Sequence, residues 1–289
     1  MSEMLLKNFY YGNEINDPDA LMFWPRQALG QELSDEQLNR IQSNVTQFFS
    51  TKLGGNFGGS ITAGDATVIA AIMEMVRPVE MIEIGVAAGF SSAFILAYAA
   101  VSGLVKDRTY LHSIDLNVEL KPGQLVGNYV RENYPALLPF WDFNTRQTSA
   151  TMLDKTFDIK LHGDGPVVAF VDGGHEHPWP LIDIIYLYHK LPRGSWVVMQ
   201  DVQMMERWIA DMVVLNFPIP PSQRGVNYVA SHWPGTKKLG FKMAYNSAAI
   251  CLDIPEWQFR GFIEECCRYP FETDFDRQDL LKRYSSGAR

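Results

Sequence analysis

Two aspartates and a histidine in the second half of the chain are the residues best placed to do chemistry. Asp172 and Asp201 each follow a run of apolar residues typical of a buried parallel strand. We expect the carboxyl ends of such strands to lie at one rim of a sheet, where two carboxylates can hold Mg²⁺ or another hard divalent cation. His175 lies close to Asp172 in the sequence, and its ordinary pKa near 6.5 suits removal of a proton at neutral pH. The alternative for Asp201 is that it only caps the following helix.

The segment 83–92, which reads EIGVAAGFSS, is a second candidate site. Its glycines, Gly85 and Gly89, permit a tight turn and leave room for a ligand against the backbone and the next helix N-terminus. Asp115 ends a later apolar run and is placed to accept hydrogen bonds from a ribose diol. A structural turn and a solvated carboxylate would account for the same residues. A nicotinamide dehydrogenase would need a third glycine where the chain has the bulky Phe90.

The runs that carry these residues predict the sheet that positions them. Apolar strand-like runs alternate with helical stretches, which is the pattern of a doubly wound α/β fold with a mostly parallel sheet. The runs cover residues 79–84, 109–115, 139–144, 166–172 and 195–201. Two further strands are expected in 225–252, around the turn 233–236, so that the sheet has seven strands and an antiparallel edge hairpin. A helix is expected over 203–214.

Helices are also predicted ahead of the sheet. The opening stretch, to about Leu33, is expected to be irregular and is rich in aromatic residues, and Ser34 and Gln37 then form a capping-box signal for a helix. A glycine-rich joint at 54–59 precedes a helix over 62–77, which Pro78 ends.

The domain organisation expected is an N-terminal extension over 1–59, one large domain over 60–254 and a partly helical tail over 255–289. The aromatic extension would serve as a lid or as a dimer element.

The composition limits the partners of this chain. With 25 basic and 33 acidic residues its net charge is −8, so it has no basic field for a phosphate backbone, and we expect no nucleic acid. Three clustered cysteines cannot form a disulfide framework, and the N-terminus lacks an apolar leader, so we expect a cytoplasmic protein. The segment 84–105 is uncharged, but its glycines and serines favour a turn over a membrane span. A small molecule is the expected partner.

Taken together, these motifs resemble those of class I S-adenosylmethionine-dependent methyltransferases. The glycine turn at 83–92 resembles the family's first motif, 113–115 its ribose-binding strand, and 147–150 the segment that meets adenine. The stretch 170–202 is similar to catechol-type and macrocin-type small-molecule O-methyltransferases, as is the hairpin signal at 233–240. The similarity covers most of the chain.

The resemblance implies S-adenosylmethionine as the methyl donor and assigns roles to individual residues. Asp115 would take the ribose hydroxyls, and Glu83 would fix the ribose or the backbone of the turn. His175 and Asp172 would be the catalytic residues, with His175 as the general base. The methionine end of the donor would lie near residues 60–62. The residues implied for the donor site are Thr62, Glu83, Gly85, Gly89, Ser91, Asp115, Ser149 and Asp172.

The chain departs from the family at the metal site. Metal-dependent relatives carry Asp-Asp or Asp-Asn after the fifth strand, whereas this chain has Gln200 followed by Asp201. The predicted ligands are Asp172, Asp201 and Gln200, and a neutral amide holds a hard cation more weakly than a carboxylate does. The resemblance therefore leaves open whether Mg²⁺ or another divalent cation is a cofactor.

The function predicted from the sequence is transfer of a methyl group from S-adenosylmethionine to a hydroxyl oxygen of a small molecule. The resemblance implies a hydroxylated natural product, sugar or phenol as the acceptor, and a homo-oligomer is expected. N-methylation of a small molecule, and binding of S-adenosylmethionine without methyl transfer, are the alternatives that the sequence leaves open.

Overall fold

The structure, a computed structural model, describes residues 18–52, 61–202, 225–239 and 246–287. The predicted glycine-rich joint at 54–59 and the predicted helix over 203–214 lie outside these ranges. The strands are β1 (Glu80–Ile84), β2 (Leu111–Asp115), β3 (Glu119–Lys121), β4 (Gln124–Leu125), β5 (Trp141–Thr145), β6 (Val167–Val171), β7 (Trp196–Gln200), β8 (Lys237–Leu239) and β9 (Ser247–Cys251). The α-helices are α1 (Pro18–Leu29), α2 (Asp35–Lys52), α3 (Ala63–Val76), α4 (Phe90–Val101), α5 (Asn128–Asn133), α6 (Ser149–Leu153), α7 (Trp179–Lys190), α8 (Gly225–His232), α9 (Glu256–Cys266) and α10 (Arg277–Gly287).

Seven of these strands form one sheet in the order β5-β2-β1-β6-β7-β9-β8. Neighbouring strands from β5 to β7 run parallel, and β9 pairs antiparallel with both β7 and β8. Parallel strands covered by helices are buried on both faces, and every residue of β1, β2 and β6 is buried. The predicted doubly wound, mostly parallel sheet with an antiparallel edge is confirmed.

The edge of the sheet differs from the prediction in one respect. The segment Gly225–His232 forms α8, whereas the sequence predicted a strand there, and both edge strands follow the turn at 233–236. The helix forms because Val226, Val229 and Ala230 lie on one helical face, which is buried against β7, β9 and α7.

Two helices precede the sheet. The prediction that the whole opening stretch is irregular is wrong, because α1 begins at Pro18. Proline in a helix interior usually argues against a helix, and Pro25 lies inside α1, but burial of Leu21 and Leu29 against α3 outweighs this cost. The capping box ahead of α2 is confirmed, since the N–H of Ser34 donates to Gln37 Oε1 (2.9 Å) and the N–H of Gln37 donates to Ser34 Oγ (3.3 Å).

The sheet separates two hydrophobic cores. Side chains alternate between its faces, so Val168 and Phe170 of β6 enter one core while Ala169 and Val171 enter the other. Helices α1 to α5 contribute to the first core, and α6 to α10 contribute to the second. No helix in the described ranges is long and apolar enough to cross a membrane.

Candidate functional site

A cleft of about 400 Å³ lies at the carboxyl ends of the parallel strands. Four of the residues predicted for the donor site line it: Gly85, Asp115, Ser149 and Asp172. This is the edge at which open α/β sheets bind their ligands, and the volume is that of a small-molecule pocket.

Gly85 forms the tight turn that opens the cleft after β1. Its backbone has a φ of +90°, and a Cβ at this position would lie 2.1 Å from the carbonyl oxygen of Asp172. No side chain fits there without moving the end of β6, so glycine is required by both conformation and space. The turn thus holds the backbones of two strand ends in close contact at the floor of the cleft.

Asp115 is fixed in the wall of the cleft by backbone N–H groups. Its Oδ2 accepts from Val86 (2.9 Å) and Ala87 (3.1 Å), and its Oδ1 accepts from Asn117 (2.7 Å). These three bonds occupy three of the roughly four acceptor positions of a carboxylate. One position therefore remains for a ligand, and the carboxylate also orients the glycine turn.

Glu83 is fully buried beneath this turn and does not line the cleft. The hydroxyls of Ser91 (2.7 Å), Ser92 (2.6 Å) and Ser113 (2.6 Å) donate to its carboxylate. Burial raises the pKa of Glu83, while the three hydroxyls act in the opposite direction. Glu83 and Ser91 thus hold the first turn of α4 against β1 and β2, and a direct contact of either with the donor stays a prediction.

Ser149 and Asp183 form a buried pair at the other end of the cleft. The hydroxyl of Ser149 donates to Asp183 Oδ1 over 2.5 Å, and burial raises the pKa of Asp183 to about 7. Asp183 is not among the site residues predicted from the sequence. The available signal is a carboxylate in the middle of the apolar helical run PLIDII.

Asp172 of the cleft lining comes together with His175 and Asp201, which lie outside that lining, after the carboxyl ends of β6 and β7. His175 Nε2 lies 3.5 Å from Asp172 Oδ1 and 3.4 Å from Asp201 Oδ2. Burial raises the pKa of Asp172 to about 7, the proximity of His175 opposes this, and the charge of Asp201 adds to it. Burial lowers the pKa of His175, but the two aspartates outweigh it, so the net shift is upward. We call Asp172, His175 and Asp201 the Asp-His-Asp cluster.

The fit of this cluster to Mg²⁺ is poor. Mg²⁺ takes oxygen ligands in near-octahedral geometry, whereas an imidazole nitrogen lies between the two carboxylates here. With the amide orientation that satisfies both groups, Gln200 donates from its nitrogen to Asp172 Oδ2 (2.7 Å), and the amide nitrogen of Asn246 donates to Asp201. N–H groups thus face the carboxylates at positions where a cation would need lone pairs. The prediction that Gln200 is a ligand has no support from this side-chain arrangement.

The loop that carries His175 is held by the C-terminal part of the chain. The N–H of His177 donates to the carboxylate of Glu272 (2.7 Å), and the N–H of Glu272 donates to the carbonyl of His177 (2.7 Å). The ring Nε2 of His177 lies 3.0 Å from the carbonyl of Cys266, and burial lowers the pKa of His177 to about 4. His177 is therefore a neutral structural residue of this loop.

Thr62 lies apart from the cleft lining. It caps α3, with its hydroxyl 2.8 Å from Asp65 Oδ2, and its role with the donor stays a prediction. Asp65 is buried and also accepts from the N–H of Asn246 (3.1 Å) and the hydroxyl of Ser247 (2.7 Å), so it joins α3 to β9.

Ser60 lies outside the described residues. Gly89 caps α4 with a φ of +90° and likewise does not line the cleft.

Comparison with known proteins finds a matching domain family and several similar solved structures. Residues 82–202 match the model of a family described as a methyltransferase domain, while no curated protein matches the chain. Among solved structures, the O-methyltransferase from Bacillus cereus in complex with SAH is 12% identical, with a TM-score of 0.49, over 82% of this chain and 99% of that chain. TomG from Streptomyces achromogenes, an O-methyltransferase involved in tomaymycin synthesis, is 14% identical, with a TM-score of 0.43, over 79% and 97%. Cofactor-bound Rv0187 from MTB is 15% identical, with a TM-score of 0.47, over 83% and 99%.

The matched family model covers less than half of the chain, but it includes the cleft-lining ends of β1, β2 and β6. The order β5-β2-β1-β6-β7-β9-β8, with one antiparallel strand inside the edge, carries a methyltransferase domain from β1 to the residue after Asp201. The resemblance to class I S-adenosylmethionine-dependent methyltransferases is therefore confirmed.

Proposed function

We propose that this protein transfers the methyl group of S-adenosylmethionine to an oxygen atom of a small molecule. The observation that carries the proposal is the continuity between the cleft and the Asp-His-Asp cluster. Asp172 lines the cleft and also lies 3.5 Å from the ring of His175. A donor bound in the cleft would therefore end beside a group that can accept a proton.

The cleft suits the donor in size and in charge. Its volume of about 400 Å³ lies within the range of small-molecule pockets. The remaining acceptor position of Asp115 would take a ribose hydroxyl, and the turn at Gly85 would lie against the ligand. Asp172 and Asp183 bring acidic groups to the same lining, which favours a sulfonium cation over its neutral product.

Methyl transfer is an in-line displacement. The sulfur–carbon bond breaks as the oxygen–carbon bond forms, S-adenosylhomocysteine leaves with the electron pair, and the acceptor hydroxyl gives up its proton. His175 accepts this proton, and the carboxylates of Asp172 and Asp201 stabilise the imidazolium that forms. No step requires a metal ion, in keeping with the poor fit of the cluster to Mg²⁺.

The base favours an oxygen acceptor. A hydroxyl must lose its proton as the methyl group arrives, whereas a neutral amine attacks through its lone pair and can release its proton afterwards. The acceptor class that follows is a hydroxylated natural product, sugar or phenol, as the resemblance of the sequence implies.

The donor site is tested by calorimetric titration with S-adenosylhomocysteine. The wild-type protein is expected to bind with micromolar affinity, and Asp115→Ala to bind at least about tenfold more weakly, because the ribose loses a charged acceptor. Asp115→Asn keeps one oxygen and should lie between them. Asp107→Ala, at an exposed position before β2, is the matched control and should equal wild type. Equal affinity in Asp115→Ala would remove Asp115 from the site, and no binding to folded wild type would reject the proposal.

The reaction is tested by product formation. Incubation with S-adenosylmethionine and separate panels of hydroxylated compounds and amines should yield S-adenosylhomocysteine with hydroxylated compounds. Product with amines alone would indicate N-methylation. Tight donor binding without product from either panel would favour a protein that binds the donor without transferring the methyl group.

A further inference from the structure

A second group of metal-ligating side chains lies at the edge of the sheet opposite the cleft. Glu80 is the first residue of β1, His112 the second of β2, and His162 lies in the loop before β6. The amino ends of parallel strands share one edge of the sheet. Glu80, His112 and His162 therefore lie at the edge opposite Asp115 and Asp172, which lie at the carboxyl ends of β2 and β6. None of them belongs to the cleft lining.

The three side chains converge on one point. His112 Nε2 lies 3.2 Å and His162 Nδ1 lies 3.8 Å from the same oxygen, Glu80 Oε2. One ligand atom from each residue lies within 4.8 Å of the others. Around a tetrahedral zinc ion with bonds of about 2.0–2.1 Å, neighbouring ligand atoms are about 3.3 Å apart. The separations of 3.2 and 3.8 Å from Glu80 Oε2 are therefore close to those between the ligand atoms of a zinc ion.

The second ring nitrogen of His112 also faces a carboxylate, as is common for histidine ligands in metal sites. Its Nδ1 lies 3.4 Å from Asp142 Oδ2, and β2 and β5 place these two residues directly opposite each other. When the ring proton lies on Nδ1, beside Asp142, the lone pair of Nε2 is directed toward Glu80. In that tautomer a lone pair faces a carboxylate oxygen at 3.2 Å, an arrangement that a shared cation between the two atoms stabilises.

We propose that Glu80, His112 and His162 bind a divalent transition metal ion such as Zn²⁺. Two imidazoles and one carboxylate suit Zn²⁺ and its neighbours in the transition series, whereas Mg²⁺ prefers an all-oxygen shell. His162 is about half exposed, at 52%, so the fourth position opens to solvent. Glu80 and His112 are buried and need no rearrangement of the strands.

The alternative is that Glu80, His112 and His162 bind no metal and only stabilise the fold. Arg108 Nη2 lies 3.6 Å from Glu80 Oε1, and the N–H of His162 donates to both carboxylate oxygens at 3.0 Å. Arg108 would then balance the charge of Glu80, and His112 would donate to its carboxylate from Nε2. The two arrangements differ in the role of the His162 ring, which only the metal site requires.

Titration of metal-free protein with Zn²⁺, followed by calorimetry, separates them. Wild type should bind one ion at this site, and His162→Ala should weaken its affinity at least about tenfold, since a ligand is lost. Asp142→Asn should weaken it to a smaller extent. His232→Ala, at an exposed histidine on α8, is the matched control, and His175→Gln reports any ion bound by the Asp-His-Asp cluster. Both should keep the wild-type affinity at this site.

Co²⁺ gives an independent readout, because its visible absorption reports nitrogen and oxygen ligation directly. The band should appear in wild type and in His175→Gln, and should be lost in His162→Ala. Absence of saturable Zn²⁺ binding, equal binding by His162→Ala, or binding lost in His175→Gln would each overturn the proposal. Because His162 is exposed, its substitution should leave the fold intact, which circular dichroism checks. The methyl-transfer proposal concerns the opposite edge, so either proposal can fail without the other.

Discussion

Asp183 is a residue of the cleft whose burial lowers the stability of the folded protein. Its side chain is 4% exposed, and burial raises its pKa to about 7. A carboxyl group whose pKa is raised by folding destabilises the folded state while it is ionised. The penalty is complete above pH 7 and disappears as the pH falls toward the unfolded value near 4, because the folded protein then binds the proton more tightly.

Asp183→Asn should therefore stabilise the protein in a pH-dependent manner. At pH 8 we expect the free energy of unfolding to rise by roughly 2 to 4 kcal/mol, with less than half of that gain at pH 5. Ser149 can donate to the amide oxygen as it does to the carboxylate, so the hydrogen bond is retained. Urea unfolding at the two pH values measures the effect, with exposed Asp107→Asn as the control. A gain that is the same at both pH values would contradict the raised pKa.

His175 is the residue on which turnover should depend. His175→Gln keeps a polar side chain but cannot accept the proton, so kcat should fall by about 10²- to 10⁴-fold while donor affinity stays unchanged. His232→Gln is the matched control and should have wild-type turnover, measured as S-adenosylhomocysteine formed. Excess chelator should leave wild-type activity intact. Full turnover in His175→Gln would remove the base, and activity lost to chelator and restored by Mg²⁺ would assign the cluster to a metal ion.

At the scale of the secondary-structure element, the sequence predicts what local patterns determine. The strands around the cleft appear as uninterrupted apolar runs because both of their faces are buried, and α2 begins at a capping box that involves only neighbouring residues. The two errors are α1 and α8. In each, a local signal against a helix, Pro25 in α1 and the glycine at the start of α8, is outweighed by burial against distant elements.

The candidate site likewise contains residues that the sequence predicts and contacts that it does not predict. Asp115, Asp172, His175 and Asp201 could be grouped from the sequence because residues that follow parallel strands must meet at one edge. The hydrogen-bond partners of these residues could not be predicted from the sequence, because the partners belong to elements that are remote in the chain. Asn246 contacts Asp201 from the start of β9, for example, and nothing near Asn246 in the sequence indicates this pairing.

At the scale of the whole molecule, the N-terminal helix α2 is joined to α3 and α4 through a buried carboxylate, that of Glu74. Glu74 of α3 is 1% exposed, and Arg40 of α2 donates to its two oxygens at 2.8 and 2.9 Å. The hydroxyl of Tyr98 on α4 donates to the same carboxylate at 3.0 Å. Burial acts to raise the pKa of Glu74, but Arg40 and Tyr98 outweigh it and the pKa is lowered. We therefore propose that residues 18–52 of the extension form part of the fold, because α1 and α2 share one hydrophobic core with α3 and α4.

Removal of Arg40 tests how strongly the extension is coupled to the rest of the protein. Arg40→Ala leaves Glu74 buried and ionised without its bidentate partner, so we expect a loss of about 3 kcal/mol in the free energy of unfolding. Arg268→Ala breaks an ion pair whose arginine is 73% exposed and should cost less than about 1 kcal/mol, which makes it the control. Both are measured by urea unfolding at pH 7.

The double variant Arg40→Ala with Glu74→Gln separates buried charge from lost packing. A neutral amide at position 74 removes the charge that Arg40 no longer pairs and keeps one oxygen to accept from the Tyr98 hydroxyl, so the double variant should be more stable than Arg40→Ala alone. If the pair acted as an ordinary surface ion pair, the second substitution would recover nothing, and Arg40→Ala would resemble Arg268→Ala. In that case α2 would be held to α3 mainly by apolar packing, through residues such as Ile41 and Val45 that are fully buried in the shared core.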